Sequence, residues 1–64
     1  MRLSLFWQRM HAEFGETYAH SLARDHVLGQ LGSRTVEQAL ADGVSAKEVW
    51  QAVCTEFDLP ASVR

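Results

Sequence analysis

The stretch "ALADGVSAKEVWQAV", Ala39 to Val53, decides how this chain folds. Ala39 and Leu40 belong to a short apolar helix, and Gly43 offers it a left-handed exit. Ser45, with Glu48 three residues on, has the pattern of a capping box that opens a second helix. Val49, Trp50, Val53, Cys54 and Phe57 then make a narrow apolar stripe opposite Lys47, Gln51 and Thr55, which predicts a helix from Ala46 to about Phe57. Pro60 prevents much continuation. The shorter helix is announced the same way. Thr35 and Gln38 of "TVEQ" form another box, predicting a helix from Val36 to about Asp42 that buries Val36, Ala39 and Leu40.

Two longer helices precede this pair. From Ser4, a plausible cap, Phe6, Trp7, Met10 and Phe14 recur at helical spacing, with Leu3 just upstream and Gln8, Arg9 and Glu13 opposite; Gly15 is the natural stop. A second helix is predicted over about 17–30, its end blurred by Gly29 and Gly32. At 3.6 residues per turn, Tyr18, Ala19, Leu22, Ala23 and Val27 share one broad face with His26 in its middle, while Ser21, Arg24 and Asp25 point away. His26 is therefore expected inside, as a neutral ring.

The expected fold is all-α: residues 1–64 as a single helical domain of four short helices (about 4–14, 17–30, 36–42 and 46–57) packed as a small single-core bundle. The third and fourth helices form a helix-turn-helix-like corner. The core is expected from Phe6, Trp7, Met10, Phe14, Tyr18, Leu22, Leu40, Val49, Trp50, Val53 and Phe57. With 64 residues, such a chain buries only about 60% of the surface it exposes unfolded, so its stability has little margin. A lone Cys54 offers no internal disulfide, and no stretch approaches the roughly 20 apolar residues of a membrane span. A cytoplasmic location is the expectation. The net charge of -2 exerts no overall pull on nucleic acid or an anionic membrane.

Over nearly its whole length, through "SLARDHVL", "RT" and "GV" before "VWQAVC", the chain resembles the small actinobacterial domain-of-unknown-function family three-zero-four-six. The resemblance implies a bacterial, short, stand-alone cytoplasmic protein, and a link to DNA metabolism because some members are encoded near recombination genes. It implies no catalytic or binding residue, since the family's function is itself unassigned.

Three constellations are candidates for chemistry. In the corner, Ala39, Gly43 and Val49 have the spacing of repressor turns, and Ser45, Lys47 and Gln51 would be the DNA contacts of segment 35–53. Charge opposes that reading. Residues 35–58 carry Glu37, Asp42, Glu48, Glu56 and Asp58 against the one base Lys47, a net -4, which would press carboxylates onto phosphates. His11, His20, His26 and Cys54 match no common zinc spacing, and a Cys54–His26 dyad would rest on a thiol that reads as a buried hydrophobe. No metal, cofactor or catalytic residue is expected. Arg24, Asp25 and His26 make a polar spot on the bundle's rim, a candidate interaction site. The function expected is a non-enzymatic protein–protein interaction or regulatory module, a monomer or weak homodimer, with a DNA-binding regulator as the alternative.

Overall fold

In a computed structural model describing residues 1–64, the four helices are α1 (Leu3–Phe14), α2 (Glu16–Asp25), α3 (Val36–Ala41) and α4 (Ala46–Glu56), with short 3-10 turns at Gly29–Leu31 and Ala61–Val63. A single residue separates α1 from α2. Gly15 sits at φ 81°, ψ 154°, donating its N–H to the His11 carbonyl (2.9 Å) while its own carbonyl accepts from Ala19 (2.9 Å). That backbone region belongs essentially to glycine, so this residue sets the corner between the two helices. α1 starts one turn position earlier than expected. Arg2, extended, precedes it without a side-chain cap, and Ser4 lies inside the first turn instead of capping.

Both capping sites form, one of them completely. The Thr35 hydroxyl accepts from the Gln38 N–H (3.1 Å) while the Gln38 side chain accepts from the Thr35 N–H (3.0 Å). Ser45 accepts from the Glu48 N–H (3.2 Å), but Glu48 returns no bond, so the second box is only half made. α3 and α4 also end alike. After α3, Val44 donates to the Ala39 carbonyl (3.0 Å) and Gly43 to that of Leu40 (3.2 Å); after α4, Leu59 donates to Cys54 (2.9 Å) and Asp58 to Thr55 (3.3 Å). This is the Schellman arrangement, with Gly43 (φ 92°) and Asp58 (φ 51°) as its left-handed residues.

The largest departure from the sequence reading is the end of α2. The helix stops at Asp25 instead of running to about residue 30, and His26 is extended (φ -86°, ψ 116°). In extended chain successive side chains point to opposite sides. Val27 therefore faces solvent at 53% exposure and Leu28 is fully buried. An isolated bridge, Leu28 N–H to the Arg34 carbonyl (3.0 Å), closes the loop that carries the first 3-10 turn.

The core comprises Phe6 and Met10 of α1, Ala19, Leu22 and Ala23 of α2, Leu28, Val36 and Ala39 before and within α3, and Val49, Trp50, Ala52, Val53 and Cys54 of α4. Five expected core residues are not fully inside. Trp7, Phe14, Leu40 and Phe57 pack on the core while partly exposed, and Tyr18 is 52% exposed. Alanines take the space instead: Ala19, Ala23 and Ala39 are fully buried, and their small side chains let backbones approach. Trp50 lies edge-on to Phe6, with centroids 6.1 Å apart, and donates its indole N–H to the Val63 carbonyl (3.2 Å). The tail thus folds back onto α4, where Arg64 donates to the carbonyls of Leu59 (2.9 Å) and Cys54 (3.4 Å).

Candidate functional site

The rim candidates come together where the ends of α1, α2 and α4 meet. Arg24 and Asp25 close the last turn of α2 on its solvated side, joined by two hydrogen bonds of 3.3 Å, with side chains 67% and 63% exposed. This pairing holds the Arg24 guanidinium more firmly protonated, first by the hydrogen bond and then by the carboxylate's charge. His26 was expected inside the bundle. Because the helix ends before it, the ring lies half-exposed instead, with Nε2 3.2 Å from Glu56 Oε2.

An aromatic chain runs beside this hydrogen bond. Tyr18 meets Phe14 (5.9 Å between centroids), Phe14 meets Phe57 (5.2 Å), and Phe57 meets His26 (5.0 Å). Tyr18, Ser21, Leu22, Asp25 and His26 line an open cleft of about 190 Å³ on the same side of α2. Sequence reasoning singled out Arg24, Asp25 and His26 but assigned Tyr18, Phe14 and Phe57 to the core. The available signal was that Tyr18 shares its face of α2 with Ala19 and Ala23: the small side chains let α2 pack closely and are both fully buried, while Tyr18 is left 52% exposed.

The DNA candidates lie on α4 and in the turn before it. Ala39 and Val49 are fully buried on either side of Gly43, Ser45 caps α4, and Lys47 and Gln51 lie exposed on its outer face. Glu48 is in the first turn of the same helix, and Arg34 is drawn to Asp42 (3.5 Å). Cys54 is buried, and burial pushes its thiol above the ordinary range, with the charge of Arg64 pulling it partly back. No hydrogen bond joins it to His26, whose ring is held by Glu56.

A second histidine grouping escaped the sequence reading. His20 stacks on Trp7 (5.5 Å, 22° between planes), and His11 lies 5.3 Å from His20, bridging α1 and α2. His11 Nε2 is buried without a hydrogen-bond partner. Two imidazoles supply fewer ligands than a structural zinc site needs, and no group of three or more His, Cys, Asp or Glu side chains is assembled anywhere in the molecule.

Comparison with known proteins bears on the whole fold and not on this rim alone. Residues 1–62 match the family model described as "Protein of unknown function (DUF3046)". The chain belongs to the DUF3046 family. A stretch of 39 residues, 61% of the chain, is 46% identical to part of a Mycobacterium tuberculosis protein provisionally named envelope-preserving system protein Rv2742c. That stretch makes up 14% of the mycobacterial protein, so this DUF3046 chain accounts for a small share of it. No solved structure matches the chain with significance. No helix of this DUF3046 chain is long and apolar enough to cross a membrane.

Proposed function

We infer that this domain is a non-enzymatic interaction module, cytoplasmic and monomeric or weakly dimeric when free, that engages another protein through the aromatic rim around His26. One observation carries the reading. Tyr18, 52% exposed, borders the cleft that Asp25 and His26 also line, and Val27, 53% exposed, follows His26 directly in the chain. A domain of this size has little apolar surface to spare for its own core, and leaving two large apolar side chains outside favours a partner that covers them. Aromatic and arginine side chains together are the composition of interface centres. The 46% identical stretch within a much longer mycobacterial chain supports a module that serves in more than one setting. The test is affinity capture from the native host with the wild type and a Tyr18→Ser/Val27→Ser double variant. A partner held by the wild type and lost by a variant that unfolds at the same temperature supports the reading; equal capture by both overturns the assigned surface.

The corner of α3 and α4 favours a second reading, a DNA-binding regulator using Ser45, Lys47 and Gln51. The Ala39, Gly43 and Val49 spacing supports it, and a Gln side chain can pair with adenine in the major groove. The net charge of -4 over residues 35–58 opposes it. Anisotropy with labelled mixed-sequence duplex between about 50 and 200 mM salt, a range that weakens phosphate contacts steeply, is expected to stay flat. Micromolar binding abolished by Lys47→Glu would promote this reading over the first.

A further inference from the structure

We propose that the cleft between Tyr18 and His26 receives an arginine side chain from a basic segment of the partner. This deepens the docking reading above and rests on it. The lining combines a ring at one end, Tyr18, with a carboxylate at the other, Asp25, over an apolar floor from Leu22. Glu56 adds a second carboxylate, held against His26 at the same edge. Asp58 follows Phe57 directly in the chain and is exposed.

The cations facing this surface are few and replaceable. Arg24 engages both oxygens of Asp25, at 3.3 Å each, but both side chains are mostly in water, where such a pair contributes little. An incoming guanidinium can therefore take over Asp25 at small cost. The fixed charges around the cleft, Arg24 against Asp25 and Glu56, sum to a net negative charge. An acidic partner would meet repulsion here, and a basic one steering.

Guanidinium suits the site better than ammonium. Its flat face stacks on an aromatic ring, which Tyr18 provides, while its fork donates two parallel bonds to one carboxylate. A lysine supplies the charge but neither the plane nor the fork. The long apolar stem of arginine lies along Leu22 in the same pose.

The experiment follows backbone amide shifts of the labelled protein during titration with three capped peptides of equal length. Each carries three residues spaced by glycine: arginine, lysine or leucine. The arginine peptide is expected to shift Tyr18, Ser21, Asp25 and His26 saturably and more tightly than the lysine peptide. Asp25→Asn, an exposed change that leaves the core intact, is expected to weaken it about threefold, the size of an exposed charge contact. Equal binding of lysine and arginine, or shifts spread equally over Glu37 and Glu48, overturns the arginine cleft. If leucine perturbs the rim and arginine does not, the docking surface stands and the basic occupant falls. If no peptide perturbs the rim, both fall.

Discussion

His26 Nε2 lies 3.2 Å from Glu56 Oε2, tying the residue that ends α2 to the last residue of α4 across 30 positions of sequence. Both side chains are 37% exposed. A pair this wet contributes at most about 1 kcal/mol. A double-mutant cycle with His26→Ala and Glu56→Gln, read by urea unfolding, is expected to give a coupling within that limit. A coupling above about 2 kcal/mol would mean a desolvated pair instead.

Neighbouring Val27 and Leu28 are expected to behave oppositely. Leu28 is fully buried and Val27 is 53% exposed, although a continuous helix would have put Val27 on the core face. Leu28→Ala should cost about 2–5 kcal/mol, the range for a leucine deleted from a packed interior. Val27→Ser should stay within about 0.5 kcal/mol, as for ordinary surface changes. Chemical denaturation of the two variants decides the matter, and equal costs would contradict the early end of α2.

The two Schellman ends differ in their left-handed residue. Gly43 takes φ 92° with open space where a Cβ would go, so Gly43→Ala is penalised by backbone strain alone, about 1–2 kcal/mol. Asp58 bears such strain already at φ 51°. Asp58→Gly should relieve it and raise stability by about 0.5–1 kcal/mol, net of glycine's greater unfolded entropy. Thermal unfolding of both variants against the wild type provides the comparison. A destabilised Asp58→Gly would show that the aspartate side chain contributes more than its backbone costs.

Cys54 sets an alkaline limit on stability. Its folded thiol is raised above the ordinary value of 9.0, chiefly by burial. The unfolded thiol therefore ionises first as pH rises, and the unfolded state binds fewer protons than the native one. Stability is retained below about pH 9 and falls as pH climbs towards the folded value. Urea midpoints from pH 7 to 10.5 should decline more steeply for the wild type than for Cys54→Ala, whose lower baseline reflects only the lost packing. Parallel declines would place the thiol in ordinary surroundings.

How much of this was legible in the chain follows from the range of the signals. The starts of α3 and α4 were readable because Thr35, Gln38 and Ser45 satisfy backbone groups within one helical turn. Gly15 and Gly43 marked corners because few residues accept their dihedrals. The stripes Phe6–Met10 and Val49–Trp50–Val53 faced the core as their spacing required. The candidate residues Arg24, Asp25 and His26 were found as a triplet, but their setting was not.

That setting depended on contacts between residues far apart in sequence. Whether Tyr18 or its alanine neighbours faced the core was decided by how closely α2 packs on the other helices, which periodicity cannot express. The end of α2 was decided by the burial of Leu28, reached only by breaking the helix at His26 and closing the Leu28–Arg34 bridge. Phe57 met both Phe14 and His26 because three helix ends converge, and the Trp50 indole found its acceptor in a tail that no local pattern placed there. Local sequence determined which segments are helical and where most begin, since those choices satisfy hydrogen bonds within a turn. Tertiary packing alone decided which of several apolar residues went inside, because there is too little interior in 64 residues to hold them all.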